Sequence, residues 1–183
     1  MSDEKVEVFI TEGQLAKRVQ ELGAQITQDY QGHSVLLVGI LTGALVFLAD
    51  LMRAIQLPVE IDCMALSSYG NASTTSGEVQ ILKDLNAPLQ GKHVLLVEDI
   101  VDTGLTLHYL LETLQPRHPA SLQICTLLAK ATKRTKAITP RYVGFEVPDR
   151  FVIGYGIDYA QQYRQLPYIA LLRTHTQGTE PNG

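Results

Sequence analysis

The run SVLLVGI, residues 34–40, constrains the fold of this chain more than any other segment. After its first serine it carries no polar residue that could face water. A strand of that kind is buried on both faces, which is the condition found inside a parallel sheet covered by helices on both sides. The segments around it repeat the theme. VEVFI (6–10) reads as a short strand, and TEGQ after it forms the pattern of a capping box, Thr11 with Gln14. Leu15, Val19, Leu22 and Ile26 follow at helical spacing. LTG (41–43) turns the chain into a helix, ALVFLADLMRAI (44–55). PVEIDCMAL (58–66) is a strand, SSYGNASTTSGEVQ (67–80) a long polar mobile loop, HVLLV (93–97) a strand, TLHYLLETL (106–114) a helix and SLQICTLLA (121–129) a strand. YVGFEV, FVIGYG and YIALLR are short strands near the end. Strands alternating with helices predict an α/β domain with a mainly parallel sheet flanked by helices. The short strands at the two chain ends are expected to form a small second layer.

In such sheets ligands bind at the carboxyl ends of the strands. Leu41 to Gly43, Ser67 onward, Glu98 to Thr106 and Lys130 therefore fall along one edge. VLLVEDIVDTGLTL (94–107) is the densest of these. An apolar run meets Glu98 and Asp99, then Asp102, Thr103, Gly104, Leu105 and Thr106, and an apolar helix follows. Gly104 lets the backbone come close to a ligand. Successive N–H groups, the Thr103 and Thr106 hydroxyls and the positive end of the helix suit a phosphate. The acids alone fit surface positions, metal ligands or partners for vicinal hydroxyls. A receiver domain also places carboxylates at strand ends, and a phosphatase of the haloacid-dehalogenase type needs D-x-D-x-T, which Asp99 and Asp102 miss by one position. Paired acids directly before a phosphate loop describe a ribose 5-phosphate site.

The segment VEDIVDTGLTL resembles the phosphoribosyl-diphosphate signature of the type I phosphoribosyltransferases, and its form E-D-x-x-D-T-G-x-T resembles their hypoxanthine-guanine branch. The resemblance runs from about Phe9 to Arg173. LTG is similar to the branch's pyrophosphate loop (Leu41, Thr42, Gly43), and SSYG to its mobile catalytic loop with a Ser-Tyr pair (Ser68, Tyr69). LLAK is similar to the strand that ends in the purine-reading lysine (Lys130), and VGFEVPDRFVIGYGIDYAQQYR (143–164) to the purine-binding hood. Thr42 replaces a basic residue common in the pyrophosphate loop, so backbone N–H groups are expected to bind there. Leu105 stands where Lys or Asn is often found.

The resemblance implies one domain over 1–183, with a core of about 30–145, a hood from about 1–12 and 146–173, and a frayed tail, 174–183. It implies transfer of 5-phosphoribosyl from phosphoribosyl diphosphate to a 6-oxopurine, hypoxanthine or guanine, releasing IMP or GMP and pyrophosphate in purine salvage. Glu98 and Asp99 would hold the ribose hydroxyls and, with Asp158, Mg²⁺. Asp102 would take the N7 proton, and Thr103 to Thr106 the 5-phosphate. Lys130 would donate to the 6-oxo group, Phe151 and Ile157 would sandwich the base, Val152 would read its edge through the backbone, and Arg164 and Tyr69 would contact pyrophosphate. A homodimer or homotetramer is expected by analogy.

Composition narrows the remaining classes. The net charge of −4 argues against a protein whose main work is nucleic-acid binding. The one basic cluster, ATKRTKAITPR (131–141), reads as a solvated face beside Lys130. An RNA-binding regulator on the same fold and an enzyme for xanthine, adenine or uracil are the rivals. Lys130 and the hood disfavour adenine and uracil, whereas xanthine keeps the 6-oxo group. The acidic start MSDEKVEVF is not a signal peptide, and Thr42, Gly43 and Asp50 break the most apolar stretch below membrane-spanning length. Cys63 and Cys125 sit far apart in apolar segments, as reduced thiols of a cytoplasmic protein would.

Overall fold

The capping box expected at Thr11 starts the first helix. Gln14 N donates to Thr11 Oγ1 at 3.3 Å and Thr11 N donates to Gln14 Oε1 at 2.8 Å. This helix, α1 (Glu12–Asp29), follows the short strand β1 (Val6–Ile10) and buries Leu15, Val19, Leu22 and Ile26. The computed structural model describes residues 6–69, 78–130 and 138–172 of the chain. The tail 174–183, expected to fray, lies outside them, as do positions 70–77 and 131–137.

Next come β2 (Val35–Leu41), α2 (Leu45–Ala54), β3 (Val59–Tyr69), β4 (Glu78–Lys83), β5 (His93–Val101), α3 (Leu105–Leu114), β6 (Ser121–Lys130), β7 (Tyr142–Val147), β8 (Val152–Ile153) and β9 (Ile169–Leu172). Six strands form one sheet in the order β4-β3-β2-β5-β6-β7, parallel except for β4. The chain ends meet in a second, antiparallel sheet, β1-β9-β8.

The apolar run in β2 now has a physical explanation. Val35 and Leu37 join a core with Leu15, Leu22, Phe47 and Leu51 of α1 and α2. Leu36, Val38 and Ile40 join a separate core with Leu107, Leu110 and Leu114 of α3. Alternate side chains feed opposite layers, so no position on the strand can be polar. Each fully buried Leu or Phe contributes roughly 1.5–3 kcal/mol relative to exposure.

Two expectations change. The span 67–80 is not one long loop. Ser67, Ser68 and Tyr69 pair with Gln80, Val79 and Glu78, so its described arms are two antiparallel strands. Strand β5 does not stop at Val97. Its pairing with β2 ends at Val97, yet it stays paired with β6 through Val101, which carries Glu98 and Asp99 on the strand itself.

The second sheet shares the α1/α2 core with the main body through Ile10, Val152, Ile169 and Leu171, and the segment after β8 adds a polar tether. The Tyr155 hydroxyl donates to Asp50 of α2. Within the main body, Arg18 ties α1 to β7, donating from Nε to Gly144 O at 2.9 Å and from Nη2 to Val143 O at 2.7 Å.

Helices α1 and α2 touch at Gly23. A Cβ there would lie 2.5 Å from Ala54 Cβ and 2.6 Å from its carbonyl carbon. Gly to Ala in a helix interior ordinarily gains up to about 1 kcal/mol. Here the backbone of α2 would have to move, and overpacking costs about 1–3 kcal/mol. Gly23→Ala should therefore lower the urea midpoint, and an unchanged or raised midpoint would contradict this packing.

Candidate active site

Strand order reverses between β2 and β5. From β2 the chain moves outward to β3, and from β5 it moves the other way to β6 and β7. Such a switch point leaves a crevice beyond the carboxyl ends of the two strands. Leu41, Thr42 and Gly43 stand at one lip and Glu98 to Thr106 at the other. The Leu41–Thr42 peptide is cis. A Cβ on Gly43 would lie 1.8 Å from Asp99 Oδ2, so any side chain there would displace that carboxylate. Behind it Gly156, at φ +99°, would place a Cβ 2.4 Å from Gly43 O. Three segments distant in sequence thus touch at this corner.

Glu98 is buried and Asp99 partly so. Asp99 N donates to Glu98 Oε1 at 3.2 Å, and Ile100 N donates to Asp99 Oδ1 at 2.7 Å. Burial, reinforced by the neighbouring Asp99 charge, holds the Glu98 carboxyl well above its ordinary range. Burial also raises Asp99, against the lowering effect of hydrogen bonds and of Arg164 nearby. Two adjacent carboxylates in this position disfavour their own charge and favour a cation between or beside them.

A cleft of about 260 Å³ opens between these acids and the start of α3, with Glu98, Asp102 and Thr103 to Thr106 on its wall. Gly104 takes φ +81° and is the residue at which α3 begins, with no side-chain cap on the helix. Leu105 N donates to Thr103 Oγ1 at 3.4 Å. Beyond Leu105, helix N–H groups without a side-chain cap, below a left-handed glycine, are an arrangement that suits an anion. Leu105 itself is exposed.

Lys130 ends β6 almost entirely buried. Its ammonium lies 3.1 Å from Asp102 Oδ2 and 3.5 Å from Asp149 Oδ1. The other Asp102 oxygen, Oδ1, is buried and has no hydrogen-bond partner among the described residues. A buried acceptor left open is costly unless a donor arrives. Asp149 was not singled out by the sequence, since an acid in a Pro-Asp-Arg turn carries no local signal.

The remaining expected residues cluster around the hood. Phe151 is 60 % exposed and makes an edge-to-face contact with Tyr159, ring centroids 6.0 Å apart. Tyr159, also exposed, is a second residue that periodicity could not reveal. Val152 and Ile157 are buried. Arg164 Nη1 donates to Gly156 O at 2.7 Å, and Nη2 lies 2.8 Å from Asp158 Oδ1. Asp158 Oδ2 accepts from Gln161 N at 2.8 Å. Expected as a metal ligand, Asp158 has both oxygens engaged in the hood. Ser68 and Tyr69 continue β3 on the backbone, and their side chains lie outside the described structure.

No group of three His, Cys, Asp or Glu side chains among the described residues is arranged to hold a metal. The pair Glu98 and Asp99 still fits Mg²⁺. That ion is commonly held by one or two carboxylates while substrate oxygens and water complete its shell.

The fold has close counterparts. The family model described as "Phosphoribosyl transferase domain" matches residues 10–160. A hypoxanthine phosphoribosyltransferase of Haemophilus influenzae is 51% identical over 172 residues, covering 92% of this chain and 96% of its own. A hypoxanthine-guanine phosphoribosyltransferase of Bacillus subtilis is 50% identical over 166 residues, covering 91% and 92%. Among solved structures, a hypoxanthine-guanine phosphoribosyltransferase of Bacillus anthracis superposes with a TM-score of 0.88 at 45% identity, covering 91% of this chain and 99% of that one.

The acid pair yields a stability prediction whose sign is fixed by linkage. A carboxyl raised in the folded state binds more protons there than in the unfolded state. Its stabilising share is complete below the ordinary value of 4.5 and is lost as pH rises through the folded value. In the ligand-free protein, Glu98→Gln should therefore raise the melting temperature at neutral pH, and the difference should shrink as pH falls towards about 4.5. A difference independent of pH would show that Glu98 is not strained by its burial.

Proposed function

The chain belongs to the phosphoribosyltransferase family, and from that membership we propose that it transfers the 5-phosphoribosyl group of phosphoribosyl diphosphate to a 6-oxopurine. Hypoxanthine and guanine are the bases, IMP and GMP the products with pyrophosphate, and purine salvage the role. The observation that carries the choice of base is the buried Lys130 ammonium 3.1 Å from Asp102, whose second oxygen is unpaired beside the phosphate loop.

The chemistry follows from what each group can do. Breaking the C1′–O bond leaves a ribose with positive charge at C1′. Mg²⁺, held by Glu98 and Asp99 together with substrate oxygens, would neutralise charge on the pyrophosphate. Glu98 and Asp99 orient the ribose hydroxyls, and the Thr103–Thr106 turn anchors the 5-phosphate on N–H groups and hydroxyls. Backbone N–H groups at Thr42 and Gly43, with the Arg164 fork, receive pyrophosphate. Asp158 sets the direction of that arginine, and the remaining lone pairs of its carboxylate would face the metal directly or through water.

The purine needs a proton removed from N7 so that N9 can attack C1′. Asp102 Oδ1 is the open acceptor for that proton. Lys130 donates to the 6-oxo oxygen. Adenine presents an amino donor at that position, which would set two donors against each other, and a site built to hydrogen-bond one group rejects the analogue lacking it. Phe151, already exposed, offers a face for the base, with Ile157 opposite and the Val152 backbone at the base edge.

Free Cys63 and Cys125 support a cytoplasmic placement. No helix of the described residues is long and apolar enough to cross a membrane. A homodimer or homotetramer is carried over from the resemblance.

Pyrophosphate release measured with phosphoribosyl diphosphate, Mg²⁺ and each common nucleobase tests the assignment. Turnover should be fast with hypoxanthine, present with guanine and small with adenine. Adenine used as well as hypoxanthine would refute the role of Lys130. Asp102→Asn should keep donor affinity, since the phosphate loop and the acid pair do not depend on its charge. Its kcat should fall by about 10²- to 10⁴-fold, the usual contribution of a positioned base, or roughly 3–5 kcal/mol of barrier. A variant as fast as the parent would return Asp102 to a purely structural role.

A further inference from the structure

Three neighbouring strands deliver three charges to one point. In β5 Val101 pairs with Ala129, and Asp102 comes next. In β6 Lys130 is the last residue, and it pairs with Val147, the last residue of β7. Two residues further, Asp149 lies in a tight turn where Arg150 N donates to Pro148 O at 2.8 Å. The turn brings the Asp149 carboxylate within 3.5 Å of the Lys130 ammonium, on the side of Phe151 and Val152. Lys130 therefore rests between two carboxylates from different strands. Its side chain is 11% exposed, against 42% for Asp102 and 36% for Asp149.

A buried ammonium with one carboxylate partner would lose its compensation whenever that partner does something else. In the reaction proposed above, Asp102 takes the purine proton at Oδ1 and with it loses the charge that faces Lys130. We propose that Asp149 is the positioning residue for the base site: it is the standing counter-ion of Lys130, which keeps the ammonium aimed at the purine 6-oxo group while Asp102 is occupied at N7. Asp149 touches no reacting atom and acts through Lys130 alone. Its place in the turn before Phe151 also means that the lysine and the stacking face are set by one short segment. The inference rests on the 6-oxopurine reading, which gives Lys130 its task.

The effect falls on the base and not on the donor. In Asp149→Asn the side chain keeps its size and loses its charge, and Lys130 is drawn to Asp102 alone. The KM for hypoxanthine should rise about fivefold, the upper scale of one partly exposed ion pair. The KM for phosphoribosyl diphosphate should stay within about twofold, because Glu98, Asp99 and the phosphate loop are untouched. Asp149→Glu should recover most of the loss. A double-mutant cycle with Lys130→Ala, read as calorimetric binding of IMP, should show that Asp149→Asn has no further effect once the ammonium is gone.

The outcomes separate the two readings. Absence of turnover of any 6-oxopurine by the unaltered enzyme overturns the proposed function itself. Turnover by the parent with an unchanged hypoxanthine KM in Asp149→Asn overturns only the role of Asp149. So does an equal loss for base and donor, an additive cycle with Lys130→Ala, or no recovery in Asp149→Glu, since each marks a residue that merely holds the turn together.

Discussion

Burial of two adjacent carboxylates at the end of β5 is the constraint around which the rest of this molecule is arranged. The strand does not end where its partner β2 leaves it. It continues beside β6, and Glu98 and Asp99 are carried into the interior on a hydrogen-bonded ladder. Nothing in the sheet requires acids there, and burial acts against their charge. In the proposed reaction the compensation would come from a cation and the hydroxyls of a sugar. Strain of this sort belongs to functional sites and is held in place by surrounding structure that over-determines it. Gly43 and Gly156 supply that surrounding structure, because each is packed too closely for any side chain.

Much of this architecture is legible in the sequence because burial on two faces leaves a mark. SVLLVGI divides its side chains between the α1/α2 core and the α3 core, and an apolar run is the only pattern that satisfies both. The Thr11 and Gln14 cap is local, so spacing reveals it. The phosphate loop is legible for the same reason: Thr103, Gly104 and Thr106 lie within one turn and act through their own backbone. What the sequence hides are features created by pairing at a distance. Strand β4 lies at the sheet edge, so its face is half solvated, and EVQILK lacks the apolar signature of the inner strands. The extension of β5 beyond Val97 is stabilised by β6, whose residues lie near position 126, and acids inside a strand ordinarily argue against one.

The hood is the part where sequence and packing differ most in what they can tell. VIGYG contains one short strand and glycines at positive φ, and Tyr155 itself adopts φ +50°. No periodicity describes such a segment. Its shape is set by tethers: Tyr155 to Asp50 on α2, Tyr155 N to Leu166 O, Gly156 N to Arg164 O, and the Arg164 guanidinium to Gly156 O. These bonds cross between residues that the chain separates by many positions, so only the folded state brings them together. They also explain why Arg164 can serve pyrophosphate without a strand or helix of its own.

The same reasoning applies to Lys130. A lysine at the end of an apolar strand invites a solvated reading, because long cations usually extend their charged end into water. Here the strands on either side rise to the same level and cover it, and the ammonium meets carboxylates in place of solvent. A surface lysine would reach many ligands weakly. One held between Asp102 and Asp149 has few directions left open, and an acceptor such as a 6-oxo group must enter along them. On the proposed reading, selectivity for the base arises from the register of three strands, which fixes where the charges lie before any ligand arrives.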